Sequence, residues 1–360
     1  MVIRSLAVEV GAGCEKQVEE KWLWHGRHVH LVDGTTVNMP DTPENQAEYP
    51  QQSQQSEGIG FPIARLVVLL SLATGMLMDM AMGPYAGKET GETALLRRLL
   101  DRFAPGDILL ADRYYCSYFM VAMLLARGID FVTRVHQRRE VDFRRGRRLG
   151  ENDHIVEWIR PEKPDWMSQE IYDRMPASIQ VREILVQLNH PGFRVESFVV
   201  VTTLTDARRY TKDDIAQLYG SRWLVELDIR TIKSTMGMDM LRCKTPPMVR
   251  KEIWTCLLAY NLIRRAMLQS ADASDRSPRQ LSFSAALQGI AASWQVIVVS
   301  NDSTAARLAE AELDNLAGHI VGNRPGRVEP RAVKRRPKPI NLLTKPRDQA
   351  RAELLGVALT

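Results

Sequence analysis

Paired cysteines are missing from this chain. Cys14, Cys116, Cys243 and Cys256 lie far apart, with no C-x2-C pair among them. That argues against a zinc site or a disulfide framework and is compatible with a reducing cytoplasm. Long apolar runs are missing too. The strongest, residues 66–78, is bounded by Arg65 and Asp79, too short to span a bilayer and better read as buried strands. Residues 1–13 lack the basic start and long apolar core of a signal peptide, so a cytoplasmic protein is expected. There is no glycine-rich phosphate loop and no internal repeat.

What the chain does have is ordinary in amount and uneven in placement. Its 360 residues, 45% hydrophobic and 25% charged, can bury a substantial core and suffice for two or three domains. The net charge is +5, yet residues 134–148 alone carry seven arginines against Glu140 and Asp142, a local +5. Residues 324–347 carry nine Lys or Arg against Glu329, a local +8. The remainder is therefore acidic. Two basic blocks on an acidic body suggest a polyanionic partner, with a solvated charge run as the plainer alternative.

Along the chain, residues 28–39 form a β-rich run interrupted at Asp33-Gly34. Residues 46–60, rich in Gln and Ser, read as a mobile loop. Residues 63–82 look like two strands folding back at Thr74-Gly75. A helix over 92–103, a strand over 107–111 ending at Asp112, a helix over 117–127 and a strand over 130–135 follow. From 136 to 206, arginine-rich turns, prolines and isolated strand-like runs suggest an inserted β-rich subdomain. Helical patterning returns at Lys212, continues over 252–267 and reappears near 305–319. The early strands joined by tight turns imply an antiparallel portion, and the later alternation with helices implies parallel crossovers. The result is a mixed sheet flanked by helices.

Within 219–233, Tyr219, Arg222, Glu226 and Lys233 are spaced Y-x2-R-x3-E-x6-K. At about 100° per residue they share one narrow arc of a helix. Beside it Leu218, Val225, Ile229, Ile232 and Met236 form a stripe that reads as buried. A carboxylate at the edge of the core can hold a hard divalent metal, and flanking cations can meet phosphate. The plainer reading is a surface helix with ion pairs such as Glu226 with Arg230. Asp33 and Asp112 sit on or just after strands, where open α/β sheets display functional groups. If the fold gathers them under Glu226, three carboxylates converge, which is unfavourable unless divalent cations neutralise them. All-oxygen ligation suits Mg²⁺ or Mn²⁺. Two such ions about 4 Å apart can activate a water or a 3′-hydroxyl and stabilise the leaving oxygen.

VDGTT around Asp33, LLADRYYCSY around Asp112 and the tyrosine-arginine-glutamate-lysine spacing, in that order, resemble the DDE transposases of bacterial insertion sequences, specifically the insertion-sequence-four group. The stretch GPYAGKETGETALLRRLL and the gap of about 110 residues between Asp112 and Glu226 fit that group. The resemblance spans about residues 25–270. It implies a ribonuclease-H-like catalytic core over 25–135 and 207–270, a β-rich insertion subdomain over 136–206 and a helical C-terminal region with a basic tail over 271–360. Asp33, Asp112 and Glu226 would form the catalytic, metal-binding triad for two Mg²⁺ ions, with Mn²⁺ as substitute. Tyr219, Arg222 and Lys233 would contact phosphates of the transposon end. The implied chemistry is nicking to free a 3′-hydroxyl and attack of that hydroxyl on target DNA. The implied partner is double-stranded DNA, bound by a homodimer in a bacterial, nucleoid-associated setting.

Arg144, Arg145, Arg147 and Arg148, at the start of the insertion, are candidates for gripping the DNA backbone. Trp166 and Phe198 are candidates for stacking on an unpaired base, though buried aromatics are the commoner outcome. His25, His28 and His30 are expected to be structural or solvent-facing. Only 32 residues precede Asp33, fewer than a helical end-recognition domain plus the first strand needs, so 1–24 is expected to be an N-terminal remnant. Two other functions share part of this pattern. A stand-alone ribonuclease-H-like nuclease needs the carboxylates but not the tyrosine-to-lysine arc. A non-catalytic DNA-binding remnant is the third reading, suggested by the short stretch before Asp33.

Overall fold

A computed structural model describes residues 2–187, 197–322 and 343–356. Residues 324–342, most of the basic tail, lie outside them. One sheet of nine strands organises the chain. Its strands are β1 (Val29–Asn38), β2 (Ile63–Ser71), β3 (Leu77–Pro84), β4 (Ile108–Ala111), β5 (Asp130–Arg134), β6 (Arg147–Gly150), β7 (Asp153–Ile159), β8 (Ser178–Gln187) and β9 (Ser197–Thr202). They run in the order β3-β2-β1-β4-β5-β9-β8-β7-β6. β1, β4 and β5 are parallel neighbours, and the remaining pairs are antiparallel. This is the expected mixed sheet flanked by helices, with the antiparallel meander first and the parallel crossovers after it.

Eleven α-helices surround the sheet among the described residues: α1 (Val2–Glu15), α2 (Pro43–Glu48), α3 (Glu92–Arg97), α4 (Tyr118–Leu125), α5 (Gln169–Arg174), α6 (Lys212–Gly220), α7 (Trp223–Arg230), α8 (Pro246–Ala273), α9 (Phe283–Val299), α10 (Asp302–Gly318) and α11 (Arg347–Leu355). Alternation along the strands sends side chains to opposite faces. Leu31, Val37, Leu66, Leu70 and Leu110 join Leu218, Val225, Val249 and Leu257 in one core beneath α6–α8. Val32, Leu69, Leu109, Ala111 and Phe131 join Leu95, Leu96, Met120 and Val121 in a second core beneath α3 and α4. Buried on both faces, β4 reads as the unbroken apolar run Ile-Leu-Leu-Ala, as a central parallel strand should.

The insertion does not stand apart from the core. β9 pairs with β5 from Val132↔Thr202 to Arg134↔Val200, and β8, β7 and β6 extend the same sheet. β5 would otherwise leave an unpaired edge. Wholly buried Arg182 ties β8 to β7 through Asp153 (2.6 and 2.8 Å) and to the Tyr210 carbonyl (2.6 Å). The expected N-terminal remnant contains α1, which is packed into the body. Ala7, Gly11 and Cys14 are buried, and the Asn261 amide donates to the Ala7 carbonyl at 2.9 Å. The Gln-rich loop is pinned by its own glutamines. Gln46 Nε2 donates to the Gly60 carbonyl (3.0 Å), and Gln51 Oε1 accepts from the Gly60 amide (3.0 Å).

Candidate active site

β1 and β4 pair in parallel only as far as Val32↔Ala111. The next residue on each strand is an aspartate, Asp33 and Asp112. β1 continues to Asn38 paired with β2, bridged on its other side only at Asn38 by Met240, so a notch opens beside it where β4 stops. Asp112 caps the tight turn Arg113–Tyr115, accepting from the Tyr114 amide at 2.5 Å. Its carbonyl accepts from Thr133 Oγ1 at 2.7 Å, which ties the turn to β5. Both aspartates thus stand at the carboxyl ends of parallel strands, the usual place for chemistry in such sheets.

The tyrosine-to-lysine segment supplies the opposite wall, but as two helices instead of one. A capping box of Thr211 and Asp214 starts α6. The chain tightens through Ser221 and Arg222, where Arg222 N–H reaches the Tyr219 carbonyl at 3.1 Å. After α7 it widens over Thr231–Thr235, where the Met236 amide reaches back to the Thr231 carbonyl at 3.0 Å. Wide turns of this kind are frequent at functional sites. Here the turn delivers Lys233 to β1, and its Nζ donates to the Thr36 carbonyl (2.8 Å) and Thr35 Oγ1 (3.3 Å). The apolar stripe beside the arc is inward, with Leu218, Val225 and Ile232 buried and Ile229 and Met236 packed against them.

Glu226 pairs with Arg222, whose Nη2 donates to Oε1 at 2.6 Å. The Arg230 pairing considered from sequence is not among the ion pairs of the described residues. Arg222 Nη1 also lies 3.9 Å from Asp33 Oδ2, so one guanidinium stands between two of the carboxylates. Burial works against its charge, yet the bond to Glu226, with Tyr219 and Asp33 nearby, leaves its pKa raised. Burial pushes the Asp33 carboxyl up from 3.8 to about 6. The Gly34 amide (2.8 Å to Oδ1) and Arg222 pull it down, and Asp112 and Glu92 push it further up. Burial also raises the Tyr219 phenol, against the pull of Arg222. Tyr219 packs on Phe198 with ring centroids 5.2 Å apart, and the Arg134 guanidinium stacks over Phe198 at 5.3 Å.

The structure therefore brings Asp33, Asp112, Glu226, Tyr219, Arg222 and Lys233 to one notch. Among the described residues, however, no three His, Cys, Asp or Glu side chains are grouped as a ready ligand set for a metal ion. The reason is visible in the pairing, since Glu226 is turned to Arg222 and Asp33 to the Gly34 amide. The donor chemistry still fits a hard divalent cation, being all carboxylate, with Asp33 carrying an incompletely neutralised charge.

Arg144, Arg145, Arg147 and Arg148 do not come to the notch. Arg144 and Arg145 are highly exposed and pair with Asp142. Arg147 and Arg148 lie on β6, the far edge strand, six strand positions from β1 and thus about 28 Å away along the sheet. Trp166 is partly exposed, with the Arg97 guanidinium stacked on it at 3.8 Å. His28 pairs with Glu15 (2.8 Å) and buried His30 with Asp107 (3.0 Å), away from the carboxylates.

Sequence reasoning missed the group that fixes α7. Asp228 is buried and accepts from Arg264 Nη2 at 2.6 Å and Arg279 Nη1 at 2.7 Å. Arg279 also donates to the Ser71 and Leu72 carbonyls (2.7 and 2.8 Å). This triad sets the rotation of the helix that carries Glu226. An aspartate inside a helix whose arc is already occupied was the one available signal.

The Transposase DDE domain family model matches residues 24–262, a stretch that contains all six notch residues. The Transposase InsG for insertion sequence element IS4 of Escherichia coli (strain K12) is 28% identical over 320 residues, covering 87% of this chain and 69% of that protein. The Transposase for insertion sequence element IS421 of Escherichia coli is 27% identical over 208 residues, covering 49% of this chain and 56% of that protein. Among solved structures, a piggyBac transposase synaptic complex with hairpin DNA is similar over 82% of this chain and 59% of that one, at 8% identity and a TM-score of 0.44. That likeness is too remote to carry an argument. No helix of the described residues is long and apolar enough to cross a membrane. On the family match and the relatives, the chain belongs to the DDE-domain transposases, as a DNA transposase of the insertion-sequence-four group.

Proposed function

We propose that Asp33, Asp112 and Glu226 are the residues with which this transposase cuts an element end and joins it to target DNA. The observation that carries this reading is the convergence of three carboxylate-bearing segments on the notch where β1 and β4 part. Domains of this family depend on divalent cations, and the three carboxylates are the groups that would hold them, Mg²⁺ by preference for all-oxygen donors and Mn²⁺ as substitute. When bound, such cations sharpen a nucleophilic oxygen and stabilise the leaving one. The protein's own contribution is to orient DNA. Arg222 offers a forked donor set to phosphate. Lys233 adds a point charge held over Thr36, and Tyr219 adds a phenol kept neutral by burial.

The partner is double-stranded DNA, met as element end and as target. Joining two ends in one event calls for two copies of the site, so a homodimer in the DNA complex belongs to the proposal. So does action in the cytoplasm at the nucleoid. Arg144, Arg145, Arg147 and Arg148 sit too far from the notch to touch the scissile phosphate and are assigned to flanking backbone.

The test supplies a pre-nicked element end, target DNA and Mg²⁺. Strand joining by the parent chain that disappears in Asp112→Asn, with DNA binding retained, supports the assignment. Cleavage without joining would point to a nuclease, and binding without either reaction to an inactive remnant.

A further inference from the structure

Glu92 touches the segments of both aspartates from the opposite face of the sheet. It opens α3, whose Leu95 and Leu96 belong to the core on the far side from α7. A Cβ placed on Gly34 would fall within 2.7 Å of Glu92 Oε2 and closer still to its carboxyl carbon. The carboxylate therefore lies against the backbone of the residue that follows Asp33. Its Oε2 also accepts from Tyr115 Oη at 3.3 Å. Tyr115 is wholly buried and closes the turn that Asp112 caps. One carboxylate thus bridges the two chain segments on which the aspartates are mounted.

That carboxylate is half-buried and makes no ion pair among the described residues. Arg65 is a nearby cation, but its Nη1 donates to the Thr90 carbonyl at 2.9 Å and its guanidinium stacks over Tyr85 at 4.6 Å. A structural anchor for Tyr115 needs only an acceptor, which a glutamine supplies. Burial raises its carboxyl, and the Tyr115 hydroxyl and Arg65 only partly offset this; a carboxylate kept beside two others without an ion pair is more than an anchor requires.

We infer that Glu92 is a positioning residue of the transposition site, which fixes the backbone under Asp33 and Asp112 and adds a fourth negative charge that strengthens divalent-cation binding there. This rests on the assignment of Asp33, Asp112 and Glu226 as the cation-holding residues. Gly34 is then a glycine because any side chain would drive Glu92 out of its seat.

The experiment titrates Mn²⁺ into the full chain without DNA, followed by calorimetry, for the parent, Asp112→Asn and Glu92→Gln, with melting in EDTA alongside. Glu92→Gln keeps the shape and the Tyr115 acceptor and removes only the charge. Its Mn²⁺ affinity should fall about tenfold, the lower end of what supporting partners of metal ligands contribute, while melting in EDTA does not drop. Affinity within twofold of the parent, where Asp112→Asn has lost Mn²⁺, overturns the role of Glu92 and leaves the site assignment standing. Affinity loss accompanied by a lower melting temperature in EDTA assigns Glu92 to the fold and also overturns it. Mn²⁺ binding undiminished in Asp112→Asn overturns the site assignment, and the role of Glu92 with it.

Discussion

Replacing Asp33 with asparagine should make the metal-free protein more stable at neutral pH, although it removes one of the carboxylates proposed to hold the cations. The Asp33 side chain is only 23% exposed. Burial first, then Asp112 and Glu92, outweigh the Gly34 amide and Arg222 and bring its carboxyl from 3.8 to about 6. A shift of roughly two units corresponds to about 3 kcal/mol favouring the protonated form in the folded state. Between pH 3.8 and about 6 the folded protein holds a proton that the unfolded chain has released. Stability therefore falls as pH rises through that window, and above it the whole cost is carried. Asparagine cannot ionise, and its amide oxygen can still accept from the Gly34 amide. The gain expected at pH 7.5 is up to about 3 kcal/mol, less whatever Arg222 loses when its second carboxylate disappears.

Urea unfolding in the presence of a chelator reads this directly. At pH 7.5 the Asp33→Asn midpoint should lie above that of the parent, and near pH 4 the two should converge, because the parent carboxyl is then protonated in the folded protein. Saturating Mn²⁺ should stabilise the parent and not the variant, narrowing or reversing the order. A variant less stable than the parent at pH 7.5 in chelator would refute the claim that Asp33 is held ionised at a cost to the fold.

Two further expectations concern the surroundings of the notch. Changing Arg144, Arg145, Arg147 and Arg148 to alanine together should weaken DNA binding and flatten its salt dependence while strand joining on a pre-nicked end survives at low salt; an unchanged salt slope in a filter or fluorescence titration would remove these residues from the DNA path. Asp228→Ala leaves buried Arg264 and partly buried Arg279 without their shared carboxylate, which should cost about 3–5 kcal/mol in chemical denaturation, and a loss under 1 kcal/mol would show that α7 is oriented by packing alone.

The notch was legible where local pattern and chemistry coincide. Asp33 and Asp112 stand out because each follows a run of β-branched or aliphatic residues, and a carboxylate at a strand end is conspicuous against that background. Glu226 stands out by spacing alone. That spacing presumes an ideal helix, yet the segment tightens at Ser221-Arg222 and widens at Thr231–Thr235. These two irregularities act in opposite senses on the helical phase, which is why an ideal-helix count still placed Lys233 on the site side. Neither is written in local propensity, because the wide turn depends on β1 offering the Thr36 carbonyl to Lys233. Glu92 was illegible for a related reason, since the missing side chain of Gly34 matters only once α3 lies over it. α1 escaped notice because it packs through Ala7, Gly11 and Cys14, small residues that permit close approach but leave little periodic signal. The basic run was legible as a charge block at the start of the insertion, but its distance from the notch was not. Register along β6 and β7 carries it to the sheet edge, and no local feature of 134–148 encodes the number of strands that intervene.

Arg222 gives two of the carboxylates a shared counter-charge. Adjacent carboxylates resist joint ionisation, and a notch with no counter-charge would drive one of them to take up a proton or swing outward. Arg222 meets Glu226 through one arm of its fork and approaches Asp33 with the other, which a lysine, with a single point charge, could do only for one partner at a time. Asp33 is the more buried of the two carboxylates and the more weakly served, and burial raises its carboxyl to about 6 against the pull of the Gly34 amide and Arg222. A cation that satisfied Asp33 and Glu226 would release the guanidinium, and the nearest remaining anions would be the phosphates of a bound strand. The phosphate contact proposed for Arg222 would therefore replace its ion pair with Glu226, and that exchange would couple the proposed cation site to the proposed grip on DNA.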